Sequence, residues 1–215
     1  MGGTVTVPFI PKQQLNNLAE FFLIKVYNCP LEDIPLPIDI ETIIEYNLNY
    51  SLRFDNLDQL LGKQGVLGFL DSENKQIYVD STLEEKKQEG RLRFTLAHEV
   101  AHHILHVPLK EAHQAKWFNQ TVSSNNVKSI GEIMTSTQAK DIEWQANYLG
   151  SHLLIPRTLL KREAAKCRAL FIKEYKQGFS DNYIDKWVKN RLQQTFLVSK
   201  EALEIAWEDT FKRKL

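Results

Sequence analysis

The chain has 215 residues, 43% of them hydrophobic and 25% charged, which is the balance of a folded globular protein long enough to bury a core. Lys plus Arg and Asp plus Glu each total 27, so the formal charge is zero, and nothing supports nonspecific nucleic-acid binding, which depends on neutralising phosphates. Two cysteines, Cys29 and Cys167, make neither a disulfide framework nor a metal cluster.

The first residues lack a basic segment followed by a long apolar run, so they do not read as a secretory signal. Residues 1–6 formally match an N-myristoylation pattern, but nothing basic follows to supply a second membrane signal. No run approaches the roughly 18 apolar residues that cross a bilayer. The expectation is a cytoplasmic protein without membrane attachment.

Residues 11–27 open on Pro11 and carry Leu15, Leu18, Phe21, Phe22 and Val26 at roughly helical spacing, which predicts an amphipathic helix. Asn28, Cys29 and Pro30 stop it, and Pro35 and Pro37 keep the chain extended. Asp39 is placed to cap a short helix through Tyr46, with Ile40, Ile43 and Ile44 inward. Strand-like segments follow at residues 49–54, 65–70 and 76–79, and the polar residues 71–75 predict a hairpin between the last two.

Residues 91–106 predict a helix, apolar at Leu92, Phe94, Leu96, Ala97, Val100, Ala101, Ile104 and Leu105, and ended by Pro108. Residues 109–139 read as a long polar loop with helical pieces. A second helix is predicted over 140–154, before Pro156, and the remainder is helical in pattern with a break near residues 177–180. No linker separates independent domains. The organisation expected is an N-terminal helix and extended segment (1–35), a core (36–160) and a helical C-terminal region packed on it (161–215), in an α+β, helix-rich class with a small early sheet.

His98 and His102 stand four residues apart, one turn apart on one helix face, so both imidazoles can approach one ion. Glu99 lies beside the first histidine, where it can reach a metal-bound water as general base without ligating. The surrounding residues are apolar, and burying two histidines and a glutamate without partners costs several kcal/mol. A metal resolves that cost. A hydrolytic site needs a third protein ligand and an open position. His106 is about 12 Å along the axis from His98 and cannot share one ion with both other histidines. Glu143, on the second helix, is the better candidate, with Asp141 as an acidic alternative that capping also explains. Asn147, one turn later, is placed to hydrogen-bond a ligand.

The run Arg93-Phe94-Thr95-Leu96-Ala97-His98-Glu99-Val100-Ala101-His102-His103-Ile104-Leu105-His106, with Glu143-Trp144-Gln145-Ala146-Asn147-Tyr148-Leu149 and Leu153-Leu154-Ile155-Pro156, resembles the ImmA/IrrE family of zinc metallopeptidases. The resemblance covers roughly residues 36–160. It implies a zincin-like core and Glu143 as the third zinc ligand, and Gln145 leaves that glutamate as the acid of its motif.

The chemistry implied is peptide-bond hydrolysis: zinc on His98, His102 and Glu143, Glu99 as proton acceptor and donor, and Tyr148 a candidate oxyanion donor. Manganese or iron also suits mixed nitrogen and oxygen ligands. An extended substrate could pair with an exposed edge of the early sheet. The resemblance implies a DNA-binding transcriptional repressor as protein substrate, with no direct nucleic-acid binding by this chain. The competing readings are a non-catalytic, zinc-containing regulatory binding protein, which has no need of Glu99 as a base, and a general degradative peptidase.

Overall fold

The computed structural model describes residues 8–85, 88–117, 136–175 and 178–211. The lipidation pattern of residues 1–6 and positions 118–135 of the expected 109–139 loop lie outside them.

Helix α1 (Lys12–Tyr27) starts directly after Pro11, whose missing N–H costs nothing at a helix start and whose carbonyl accepts from the amides of Gln14 and Leu15. It stops at Asn28, which turns left-handed at φ 49°. Leu15, Ala19 and Leu23 form its buried stripe. The Asp39 carboxylate accepts from the backbone N–H of Thr42 at 3.0 Å and from its hydroxyl at 2.8 Å, capping α2 (Ile40–Thr42). The turn then widens into a π-helical segment, Ile43–Asn47, that buries Ile43 and Ile44.

Strands β1 (Ser51–Asp55), β2 (Gly68–Asp71) and β3 (Gln76–Asp80) form one sheet in the order β1-β3-β2, with the short helix α3 (Leu57–Leu61) between β1 and β2. The expected hairpin is β2 against β3, antiparallel; β1 lies parallel on the other side of β3. Ile77 and Val79 are fully buried and alternate with half-buried Tyr78, so one face of β3 meets the helices. Buried Asp80 leads out of β3 into α4 (Thr82–Glu85) and accepts from the backbone N–H groups of Leu57 and Thr82, tying both ends of the sheet layer together.

Helix α5 (Glu89–Trp117) differs from the sequence expectation at its C-terminal end, because Pro108 stands inside it and the helix continues to Trp117. Proline removes one backbone donor and leaves the Ile104 carbonyl without its usual partner. Pro108 faces solvent, where that carbonyl can be hydrated, while Leu105, His106 and Val107 beside it stay buried. Helix α6 (Ser136–Leu154) likewise begins earlier than expected. Helices α7 (Arg157–Tyr175), α8 (Asp181–Phe196) and α9 (Lys200–Phe211) complete the fold. The Ser180 hydroxyl caps α8 at the predicted break by accepting from the Tyr183 amide. The class is α+β and helix-rich, as expected. One hydrophobic cluster runs from Leu15 of α1 through Ile77 of β3, Val100 of α5 and Leu149 of α6 to Leu192 and Phe196 of α8 and Leu203 of α9.

A polar junction closes the two ends of the chain onto α6. Lys12 of α1 pairs with Asp209 of α9 at 2.9 Å, the Tyr148 hydroxyl of α6 donates to the same carboxylate at 2.7 Å, and Arg157 of α7 donates to the Asp209 carbonyl at 3.0 Å. Burial opposes ionisation of Asp209, but hydrogen bonds from Lys12 and Tyr148 outweigh it and hold the carboxyl below its usual value. A depressed folded-state value stabilises the fold above the unfolded pKa of about 3.9, and that stability disappears as pH falls through the folded value. Urea unfolding across this acid range should show a shallower pH dependence for Asp209→Asn than for wild type. At neutral pH the variant should be less stable by about 1–3 kcal/mol, the scale of hydrogen bonds to a charged group. Parallel curves for the two proteins would count against this role.

Candidate metal centre

The site forms where α5 and α6 cross. Leu96, Ala97, Val100 and Ala101 are fully buried on α5, so the intervening turn that carries His98 and His102 is held against the core by its neighbours. On α6, Gly150 permits the close crossing. A Cβ there would lie 3.0 Å from the Ala97 carbonyl and from the His98 backbone nitrogen, tighter than most side-chain contacts. Glu143 stands about two turns up the same helix, within reach of the two histidines.

His98 Nε2 and His102 Nε2 face each other at 2.9 Å, with their rings edge-on at 77°. Glu143 completes the triangle, Oε2 at 3.2 Å from His98 Nε2 and Oε1 at 3.5 Å from His102 Nε2. One donor atom from each residue lies within 4.8 Å of the other two, a group that could hold a metal ion. Ligands at about 2.1 Å around a tetrahedral ion are separated by about 3.4 Å, so this triangle fits zinc with a small opening of the histidine pair. Without an ion, two imidazole nitrogens confront each other beside a carboxylate. A cation between them satisfies all three. Asp141 is not part of the group; Glu143, itself exposed, is the acid that the fold brings to the histidines.

The electrostatics follow from this packing. Hydrogen bonding to His102 and His98 holds the Glu143 carboxyl far below the usual carboxylate range, against the effect of burial. Burial disfavours a charged His98, but Glu143, Glu99 and neighbouring Asn147 outweigh it and raise its pKa. Burial raises the pKa of Glu99, only partly opposed by the two histidines. The Leu70 backbone of β2 also hydrogen-bonds to Glu99 and works against the rise.

The sheet therefore reaches the site through its edge strand, a contact that periodicity along α5 does not reveal. A Cβ at Gly68 would fall 2.7 Å from Glu99 Oε1 and 2.6 Å from Thr95 Cγ2, so a side chain there would displace the glutamate. The one sequence signal for this is a glycine inside the strand predicted over residues 65–70, which marks close approach of another group. Asn147 is exposed and beside His98. Tyr148 points its hydroxyl to Asp209 and stacks between Trp144 and His152. His103 is paired with the Tyr50 hydroxyl at 3.0 Å, and His152 is buried against the Tyr148 carbonyl at 2.8 Å.

The sequence profile of the IrrE N-terminal-like domain, peptidase family M78, matches residues 57–208. The chain belongs to that family, and the family with the donor group at the helix crossing defines a metallopeptidase-type domain. No curated protein matches the chain. Among solved structures, a Mycobacterium tuberculosis transcriptional regulator shares the fold, with a TM-score of 0.52 at 16% identity over 94% of this chain and 48% of that one. The chain thus spans about half the length of that protein.

Gly150→Val should force α5 and α6 apart at the tightest point and lower stability by about 1–3 kcal/mol, the usual effect of overpacking. Isothermal titration should show zinc affinity weakened at least about tenfold as Glu143 withdraws, since ligand geometry sets affinity. Wild-type zinc affinity in this variant would show that the crossing does not position the ligand.

Proposed function

We propose that the chain is a zinc-dependent endopeptidase that cleaves a DNA-binding transcriptional regulator. The observation that carries this reading is the convergence of His98, His102 and Glu143 on one point with the buried carboxylate of Glu99 beside it. Membership of a peptidase family supports hydrolysis as the reaction. Two nitrogens and one carboxylate form a donor set that suits zinc and leaves a position open.

His98, His102 and Glu143 would hold the ion. When bound there, zinc polarises a carbonyl and brings the pKa of water toward neutrality. Glu99 is the proton carrier: burial raises its affinity for a proton, so it takes one from water and returns it to the leaving amine. Hydrogen bonding from the Leu70 backbone, with Gly68 leaving room, keeps this carboxylate beside the histidines. Asn147 steadies the His98 ring. Strand β2 is a sheet edge and passes over Glu99, so an extended substrate segment can add to it with its scissile bond near the base. Tyr148 serves as an oxyanion donor only by releasing Asp209; with that bond kept, it anchors α9.

The regulator as substrate rests on the family resemblance, and the shared fold with a transcriptional regulator is consistent with it. No helix among the described residues is long and apolar enough to cross a membrane.

The test is incubation of the zinc-loaded chain with purified helix-turn-helix repressors and with a proteome-derived peptide mixture, products being read by mass spectrometry. Wild type should cut a repressor at a defined bond. Glu99→Gln should keep about one zinc per chain but lose at least about a hundredfold in rate, the scale of general-base loss. Glu143→Ala should lose both metal and cleavage. Cleavage by Glu99→Gln at the wild-type rate would remove the base from the mechanism. Repressor binding without cleavage would instead mark a non-catalytic regulatory protein.

A further inference from the structure

Trp144 follows Glu143 directly on α6 and is 37% exposed. Its ring stacks on Tyr148 with centroids 5.6 Å apart. Phe9 lies alongside at 6.2 Å, its plane 11° from parallel, so the two rings are offset and present a broad flat surface. Phe9 itself is 76% exposed. A single exposed phenylalanine is ordinary, but this one is held in place. Gln145, 1% exposed, donates from its amide nitrogen to the Pro8 carbonyl at 2.9 Å. Ile10 packs against the core, and the Pro11 carbonyl accepts from the first amides of α1. With residues on both sides fixed, the Phe9 ring cannot fold away from water. Tyr148 cannot swing across to cover it, because its hydroxyl is tied to Asp209.

The rings share a side of α6 with the metal centre. Glu143, Trp144 and Asn147 are exposed, whereas Gln145, Ala146 and Leu149 are buried. We propose that Phe9 and Trp144 form a specificity subsite: an apolar platform that takes an aromatic or large aliphatic side chain of the bound peptide, close in sequence to the bond held at the ion. An extended chain advances about 3.3 Å per residue, so a peptide that reaches Glu143 meets Trp144 within a few residues. The platform carries no charge and selects by apolar area removed from water. It supplies no donor to the ion, and its effect is on which peptide binds. The subsite rests on the zinc endopeptidase reading.

The test uses the zinc-loaded full-length chain and hydroxamates, which chelate zinc. Acetohydroxamate probes the ion alone; a series of phenylalkyl hydroxamates with spacers of increasing length carries a ring outward from it. Isothermal titration of wild type should show one spacer length binding at least about tenfold more tightly than acetohydroxamate. Phe9→Ala and Trp144→Ala should each reduce that ratio to below about threefold, while Phe9→Tyr, which keeps the ring, should retain it. In a digest of a proteome-derived peptide mixture, wild type should enrich apolar side chains at one fixed position from the cut, and the two alanine variants should lose that enrichment. Circular dichroism melting establishes that each variant is folded; if Trp144→Ala unfolds, Phe9→Ala decides, since Phe9 is largely in solvent. Acetohydroxamate binding with the ring preference unchanged in folded Phe9→Ala would overturn the subsite alone. Tighter binding of the whole series to Phe9→Ala would overturn it too, because residues 8–10 would then obstruct the site. A wild type that holds no zinc or binds no hydroxamate would overturn the zinc reading, and the subsite with it.

Discussion

The approach of α5 and α6 is the constraint on which the rest of the site depends. A helix pair carries side chains that normally keep the axes 8–10 Å apart. Here the backbone of Gly150 meets the backbone at Ala97 and His98 without an intervening side chain. That contact lets a short acid on one helix reach two imidazoles on the other, and fully buried Ala146 and Leu149 on α6 with Val100 and Ala101 on α5 enclose the crossing in hydrocarbon. The same closeness places Gln145 beside His106 behind the histidine pair. Donors and their supports are thus a consequence of one interhelical contact.

Burial gives the site its electrical character. Glu143 is exposed to solvent and is held ionised by two histidines, whereas Glu99, one residue from His98 but turned into the core, is pushed toward its protonated form. Two carboxylates within one small volume are driven apart in proton affinity. The edge strand β2 tempers this difference, because its Leu70 backbone hydrogen-bonds to Glu99 and works against the rise, while its Gly68 leaves room for the carboxylate.

The outer helices support this centre from a distance. Lys12 near the start of α1 and Asp209 near the end of α9 meet over Tyr148 and His152 of α6. The two ends of the described chain therefore brace the helix that supplies Glu143, and the aromatic stack from Phe9 through Trp144 and Tyr148 to His152 runs along it. This explains how segments remote from the chemistry in sequence, including residues 8–10, share its packing.

Much of this was legible from residues alone because local physics sets it. The spacing of His98 and His102 follows from helix geometry, the cap at Asp39 from a carboxylate beside free amides, and the β2–β3 hairpin from a polar turn between apolar runs. Glu143 came within reach as a candidate because the small and apolar residues that follow it mark a helix with a buried side. Proline misled locally: Pro108 does not end α5, since its solvent-facing position tolerates a lost hydrogen bond. Pairings between distant segments carry no periodic signal. The parallel docking of β1 on β3, the hydrogen bond from Leu70 to Glu99, the pairing of His106 with His102 and the joining of Lys12 to Asp209 depend on which surfaces meet. The sequence by itself determined the main helices, the hairpin and the residue types of the candidate site; the tertiary structure decided which nitrogen, oxygen and amide face one another, because that follows from how closely the helices cross and which strand covers them.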